Sequence, residues 1–154
     1  MIDDRDRREI EAAAARYPTR RAAGIESLQV VQKNHGWVSD EDLRAVASFL
    51  GIAPDELDGV ASFYPMLFRK PVGRHVVLVC DSICCWILGY EAVLERLMAR
   101  LGIRPGETSA DGRFTLITSP CLGACDRSPA LMIDGDLHGD LTPEKVDSLL
   151  EGYE

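Results

Sequence analysis

Five cysteines fall in two short runs, Cys80-Asp81-Ser82-Ile83-Cys84-Cys85 and Cys121-Leu122-Gly123-Ala124-Cys125. Soft thiolates select zinc or iron–sulfur clusters, so two such runs brought together would make a metal centre. A thioredoxin-type dithiol needs C-x-x-C, a spacing that the chain lacks. Structural zinc most often uses C-x2-C knuckles, and C-x3-C or C-x4-C is less usual for it. An iron–sulfur cluster also takes four cysteines, although the plant-type spacing C-x4-C-x2-C with a distant fourth is missing. The plain alternative is five small buried hydrophobes, since free cysteine packs well. Gathering of all five into two runs speaks against that. Gly123 suits a loop wrapped closely around a cofactor, where backbone N–H groups approach bridging sulfides and help set the potential. Pro120 biases Ser119 towards extended geometry and stiffens the same loop.

Each run directly follows a strand-like segment. His75 to Val79 is a β-branched run, and Arg113 to Thr118 reads as a second strand. Ligands gather in loops at the carboxyl ends of strands in open α/β sheets, so neighbouring strands would bring four thiolates together. Tyr90, Val93, Leu94, Leu97, Met98 and Leu101 recur at helical spacing up to Gly102, which predicts an amphipathic helix. Ala130 to Asp134 and Asp136-Leu137-His138 read as a hairpin about Asp134-Gly135. Thr142 and Pro143 open a last helix that ends near Gly152. The second half is thus a small α/β layer.

The first half reads as four helices. Asp6 to Arg16 is alanine-rich and stops at Tyr17-Pro18. Ala22 to Asn34 follows. Ser39 caps a helix with Asp42 three residues on, and Leu43, Val46, Ala47 and Leu50 line it up to Gly51. Pro54 opens the fourth, with Asp55 and Glu56 where the helix dipole favours negative charge. The pattern changes around Arg69-Lys70-Pro71-Val72-Gly73, which gives a helical bundle over 1–72 and an α/β domain over 73–154. No internal repeat or low-complexity tract interrupts them.

The chain has 154 residues, of which 46% are hydrophobic and 27% charged, the composition of one ordinary domain or two small ones. Seventeen Lys and Arg against 25 Asp and Glu give 17 − 25 = −8. That balance disfavours nucleic acid and anionic membrane surfaces as partners. No window reaches the ~20 apolar residues of a membrane span. Met1-Ile2-Asp3-Asp4-Arg5-Asp6-Arg7-Arg8 carries no secretory pattern, so a cytoplasmic location is expected. A reducing compartment and an odd number of cysteines fit a disulfide scaffold badly. Neither G-x-G-x-x-G after a strand nor G-x-S-x-G is present, which leaves nucleotide binding and hydrolysis without support.

These residues resemble the [2Fe–2S] subunit of the NADH-oxidising module of respiratory complex I, whose relatives occur in NAD-linked formate dehydrogenases and bidirectional hydrogenases. The family pattern is C-x4-C followed some thirty-five residues later by C-x3-C. Here the match is Cys80-x4-Cys85 and Cys121-x3-Cys125. Asp111-Gly112-Arg113-Phe114-Thr115-Leu116 and the Cys121 to Asp126 run look like family signatures, as do His35-Gly36-Trp37-Val38 and Gly59-Val60-Ala61-Ser62-Phe63-Tyr64. The resemblance implies an α+β chain in which a helical bundle precedes a thioredoxin-like [2Fe–2S] ferredoxin domain. It implies a cluster on Cys80, Cys85, Cys121 and Cys125 that takes an electron from FMN. FMN and NADH would sit on a partner subunit, with further peripheral-arm subunits of complex I as neighbours and the whole held peripherally at the inner membrane. The competing readings are the equivalent subunit of an NAD-linked formate dehydrogenase or hydrogenase and, behind it, a zinc-stabilised interaction module. Spacing alone would also allow Cys80-x3-Cys84; the family spacing selects Cys85 and makes Cys84 a packing residue.

His35, His75 and His138 lie far from both runs and lack the paired Cys–His motifs of a Rieske site, so they read as ordinary. Trp37, Phe63, Tyr64 and Phe68 read as bundle core in preference to a partner-facing patch. Asp81 and Ser82 read as satisfying loop N–H groups.

Overall fold

The computed structural model describes residues 2–153, and the chain divides between Pro71 and Val72 into two units. In the first unit α1 spans Asp4–Ala14, α2 Gly24–His35, α3 Asp40–Leu50 and α4 Pro54–Phe63, with a 3-10 turn over Arg20–Ala23. Asp3 caps α1 by accepting from the N–H groups of Arg5 and Asp6, and the Asp6 side chain accepts from Asp3 N–H. This reciprocal cap starts the helix two residues before Asp6. Ser39 and Asp42 form the same box on α3, and Gly51 closes that helix in the left-handed region.

Ile10, Leu28, Val31, Val46 and Leu57 are among the residues that fill the bundle core. Asp6 is buried beside it, at 1% exposure. Its carboxylate is satisfied by the Asn34 amide at 2.8 Å and His35 Nε2 at 3.0 Å, while His35 Nδ1 lies 3.4 Å from Asp42. A buried carboxylate is tolerated only when paired in this way. His35 is therefore a structural link between three helices. The expectation of an aromatic core fails in part. Phe63 and Tyr64 are 78% and 42% exposed, at the point where α4 ends ahead of Pro65, while Leu67 just beyond returns to the core. Trp37 and Phe68 are half-buried.

The second unit is built on β1 (His75–Cys80), β2 (Phe114–Ser119), β3 (Leu131–Ile133) and β4 (Asp136–His138), in the sheet order β2-β1-β3-β4. β1 and β2 are parallel, in register from His75 opposite Phe114 to Cys80 opposite Ser119. β3 runs antiparallel to β1, and the β3–β4 hairpin turns at Asp134 and Gly135. A short helix, α5 (Ile83–Ile87), follows β1 and was not legible in the sequence. The α6 helix (Tyr90–Leu101) and α7 (Pro143–Glu151) cover the sheet. Val93, Leu97, Val146 and Leu150 pack there with Val77, Val79, Leu116 and Ile133. The fold is α+β, a helical unit followed by a unit built on a four-stranded mixed sheet, the class and element order that the sequence leads one to expect.

Candidate metal centre

The parallel register of β1 and β2 decides where the cysteines meet. Cys80 ends β1 and Ser119, its partner, ends β2, so Pro120 and Cys121 leave the sheet beside Cys80. The N–H of Asp81 donates to the Ser119 carbonyl at 3.0 Å and that of Cys80 to the Ala130 carbonyl at 3.1 Å, which ties the start of β3 to the same end. All five cysteines are free thiols. Cys80 and Cys85 are buried and pack with Ala124 and Ala130 under Tyr90 and Leu122. Cys84 is half-buried, and Cys121 and Cys125 are exposed.

α5 carries both Cys84 and Cys85 and points them differently. The Cys85 thiol donates to the Ser128 hydroxyl at 3.4 Å, and that hydroxyl donates to the Cys125 carbonyl at 3.1 Å. Ser128 thus bridges the two cysteine runs, a role that nothing in its own stretch of sequence announces. Cys84 instead lies against Cys125, as does Cys121. The Cys125 thiol is pushed up to about 11, first by its hydrogen bond to Cys84 and then by Cys121. Thiolates side by side repel, and one group in such a cluster holds its proton. A bound cation inverts that preference and leaves coordinating thiols deprotonated.

Gly123 has φ of 77°, and its N–H donates to Cys121 Sγ at 3.3 Å. A 3-10 turn over Cys125–Arg127 follows. Gly139 presses on it from beyond β4: a Cβ there would stand 2.6 Å from Arg127 Cβ and 2.7 Å from its carbonyl oxygen. The Arg127 carbonyl also accepts from Asp140 N–H at 2.6 Å. Burial raises the Tyr90 hydroxyl above its usual range, with Asp81 and Cys80 adding negative charge.

This donor set fits a two-iron cluster. It offers soft thiols at one end of a sheet, an amide already aimed at the Cys121 sulfur, and a crowding of thiols that cations would relieve. Among the described residues no three His, Cys, Asp or Glu side chains close on one point. His75 bonds Asp134 at 2.6 Å and His138 meets the Tyr153 hydroxyl at 3.2 Å, so both histidines serve the fold.

Residues 10–154 match the family described as thioredoxin-like [2Fe–2S] ferredoxin. The chain is 49% identical to a component of the NADH-quinone oxidoreductase of Pseudomonas aeruginosa, over 99% of this chain and 92% of that one. It is also 49% identical to the corresponding component of the Escherichia coli enzyme, over 96% and 89%. Among solved structures, an NAD+-reducing [NiFe]-hydrogenase in its H2-reduced state matches 82% of this chain with a TM-score of 0.68 and 26% identity. The air-oxidised form matches 73% with a TM-score of 0.63 and 28% identity. The chain spans only about a fifth of the hydrogenase chains it matches, 22% and 20%.

Proposed function

The chain belongs to the thioredoxin-like [2Fe–2S] ferredoxin family, and from that premise we propose that it is the electron-carrying subunit of an NADH-oxidising module. Its cofactor is a [2Fe–2S] cluster, and its relatives are subunits of NADH-quinone oxidoreductase. In this reading Cys80, Cys85, Cys121 and Cys125 hold the cluster. It receives an electron from the FMN of a partner subunit, which also binds NADH. The observation that carries the reading is the convergence of the two cysteine runs at the carboxyl ends of adjacent parallel strands.

When bound, the cluster supplies one-electron storage. The chain's own part is ligation, water exclusion and tuning. Cys80 and Cys85 bring buried thiolates under Tyr90, while Gly123 N–H draws charge from the Cys121 sulfur and so favours reduction. Asp81, Asp126 and the net charge of −8 oppose it. Ile83, Trp86, Ile87 and Leu88 stand exposed on and just after α5, beside the cysteines. A flavin-bearing partner covering them would dry this side of the site and bring its redox group close. No described helix is long and apolar enough to cross a membrane. The reading has the chain in the cytoplasm, reaching the inner membrane only through its complex. The hydrogenase likeness supports a second reading, the equivalent role in an NAD-linked hydrogenase.

Anaerobic purification tests this. About two irons and two sulfides per chain are expected, with a rhombic EPR signal after dithionite and again after NADH when the flavin subunit is present. A signal that NADH never produces in that complex overturns the assignment of the electron donor. A colourless zinc protein overturns the carrier itself.

A further inference from the structure

The chain offers five thiols to a cluster that takes four, and the fifth is not remote. Cys84 lies against Cys125, which also meets Cys121, and the reading above makes both of those ligands. Cys85 is its neighbour in α5 but faces inward, at 2% exposure, with its thiol on Ser128. Used with Cys80, Cys84 gives the first run the same C-x3-C spacing as Cys121 and Cys125. We propose that Cys84 and Cys85 are interchangeable ligands for one coordination position of the cluster.

The local structure permits the exchange. Successive helical residues differ by about 100° around the axis and about 1.5 Å along it. α5 has five residues, and Ser82 gives it no side-chain cap. Such a short helix has little stability of its own, so unwinding and re-forming it to present one thiol or the other is cheap. Exchange breaks one iron–sulfur bond and forms another. The incoming thiol gives a proton to water, the released thiolate takes one up, and no electron is gained or lost.

The inference rests on the ligand reading above, and the test separates the two. Cys84→Ala, Cys85→Ala and the double variant, all full-length, are loaded anaerobically with iron and sulfide. Iron content, visible circular dichroism and EPR are then recorded. Each single variant is expected to keep about two irons per chain, Cys85→Ala with shifted spectra, and the double variant less than half of that. Cys85→Ala holding no more iron than the double variant overturns the exchange, as does loss of the cluster in Cys84→Ala. Should Cys85→Ala fail to fold, Cys85→Ser decides. An all-sulfur resonance Raman spectrum that becomes oxygen-ligated only when Cys84→Ala is added supports exchange; oxygen ligation with Cys84 intact overturns it. Wild-type protein that takes up no iron, or a Cys121→Ala variant with an unchanged cluster, would instead sink the ligand reading.

Discussion

At Gly123 the backbone adopts φ of 77°, and a Cβ there would meet nothing within 4 Å. The cost of a side chain is therefore conformational and not steric. Gly123→Ala is expected to lose about 1 kcal/mol of stability in denaturant titration. Any shift of the N–H from Cys121 Sγ should also lower the cluster's midpoint potential, which a dithionite titration followed by EPR would read. An unchanged potential would mean that this amide tunes nothing. Asp6 is the other decisive single residue. Burial raises its pKa, yet Asp3 N–H, the Asn34 amide and His35 more than offset that, and the net value lies below the ordinary 3.8. A depressed carboxyl stabilises the fold above its unfolded value, and that contribution disappears as pH falls through the folded value. Wild-type protein should thus lose this stabilisation on acidification below about 3.8. Asp6→Ala should cost about 2 kcal/mol at neutral pH and flatten the acid limb of stability against pH.

Among elements, the 3-10 turn after Cys125 is held from outside its own stretch of chain. Gly139 leaves no room for a methyl group against Arg127. Gly139→Ala should cost about 2 kcal/mol through overpacking and weaken cluster retention, measured as thermal unfolding and iron content together. Normal retention would show that the turn yields without moving Cys125. α5 carries a different load. Trp86, at 54% exposure, and Ile87, at 68%, are costly residues to leave in water without a partner. Trp86→Glu with Ile87→Glu should keep the visible spectrum while weakening capture by the proposed flavin-bearing partner about tenfold or more. Equal capture would place the docking surface elsewhere.

On the scale of the molecule, each unit contains its own apolar core. The sheet unit also contains every cysteine. A fragment of residues 72–154 is therefore expected to fold and hold a cluster with the spectrum of the full chain. A fragment that binds iron only when the helical unit is supplied would show that the site depends on both. The net charge of −8 adds that association with a basic partner face should slow as salt rises.

Signals that act over a few residues were legible in the sequence. Ser39 with Asp42, Gly51, Pro54 and the Tyr90 to Leu101 stripe mark their helices because capping and periodicity are local properties. The cysteine spacing likewise narrowed the chemistry to a four-thiol metal centre, and its family pattern to [2Fe–2S]. Other features depend on residues far apart in the chain. Asn34 reaches Asp6 across 28 positions, and Ser128 reaches Cys85 across 43. Phe63 and Tyr64 look like core by composition, yet they stand at the end of α4 in water while Leu67 beyond them takes the core position. The direction of each α5 thiol, inward at Cys85 and towards Cys125 at Cys84, was likewise a tertiary decision. Spacing counts residues along the chain, whereas ligation depends on where a helix of one and a half turns is rotated by the packing beneath it.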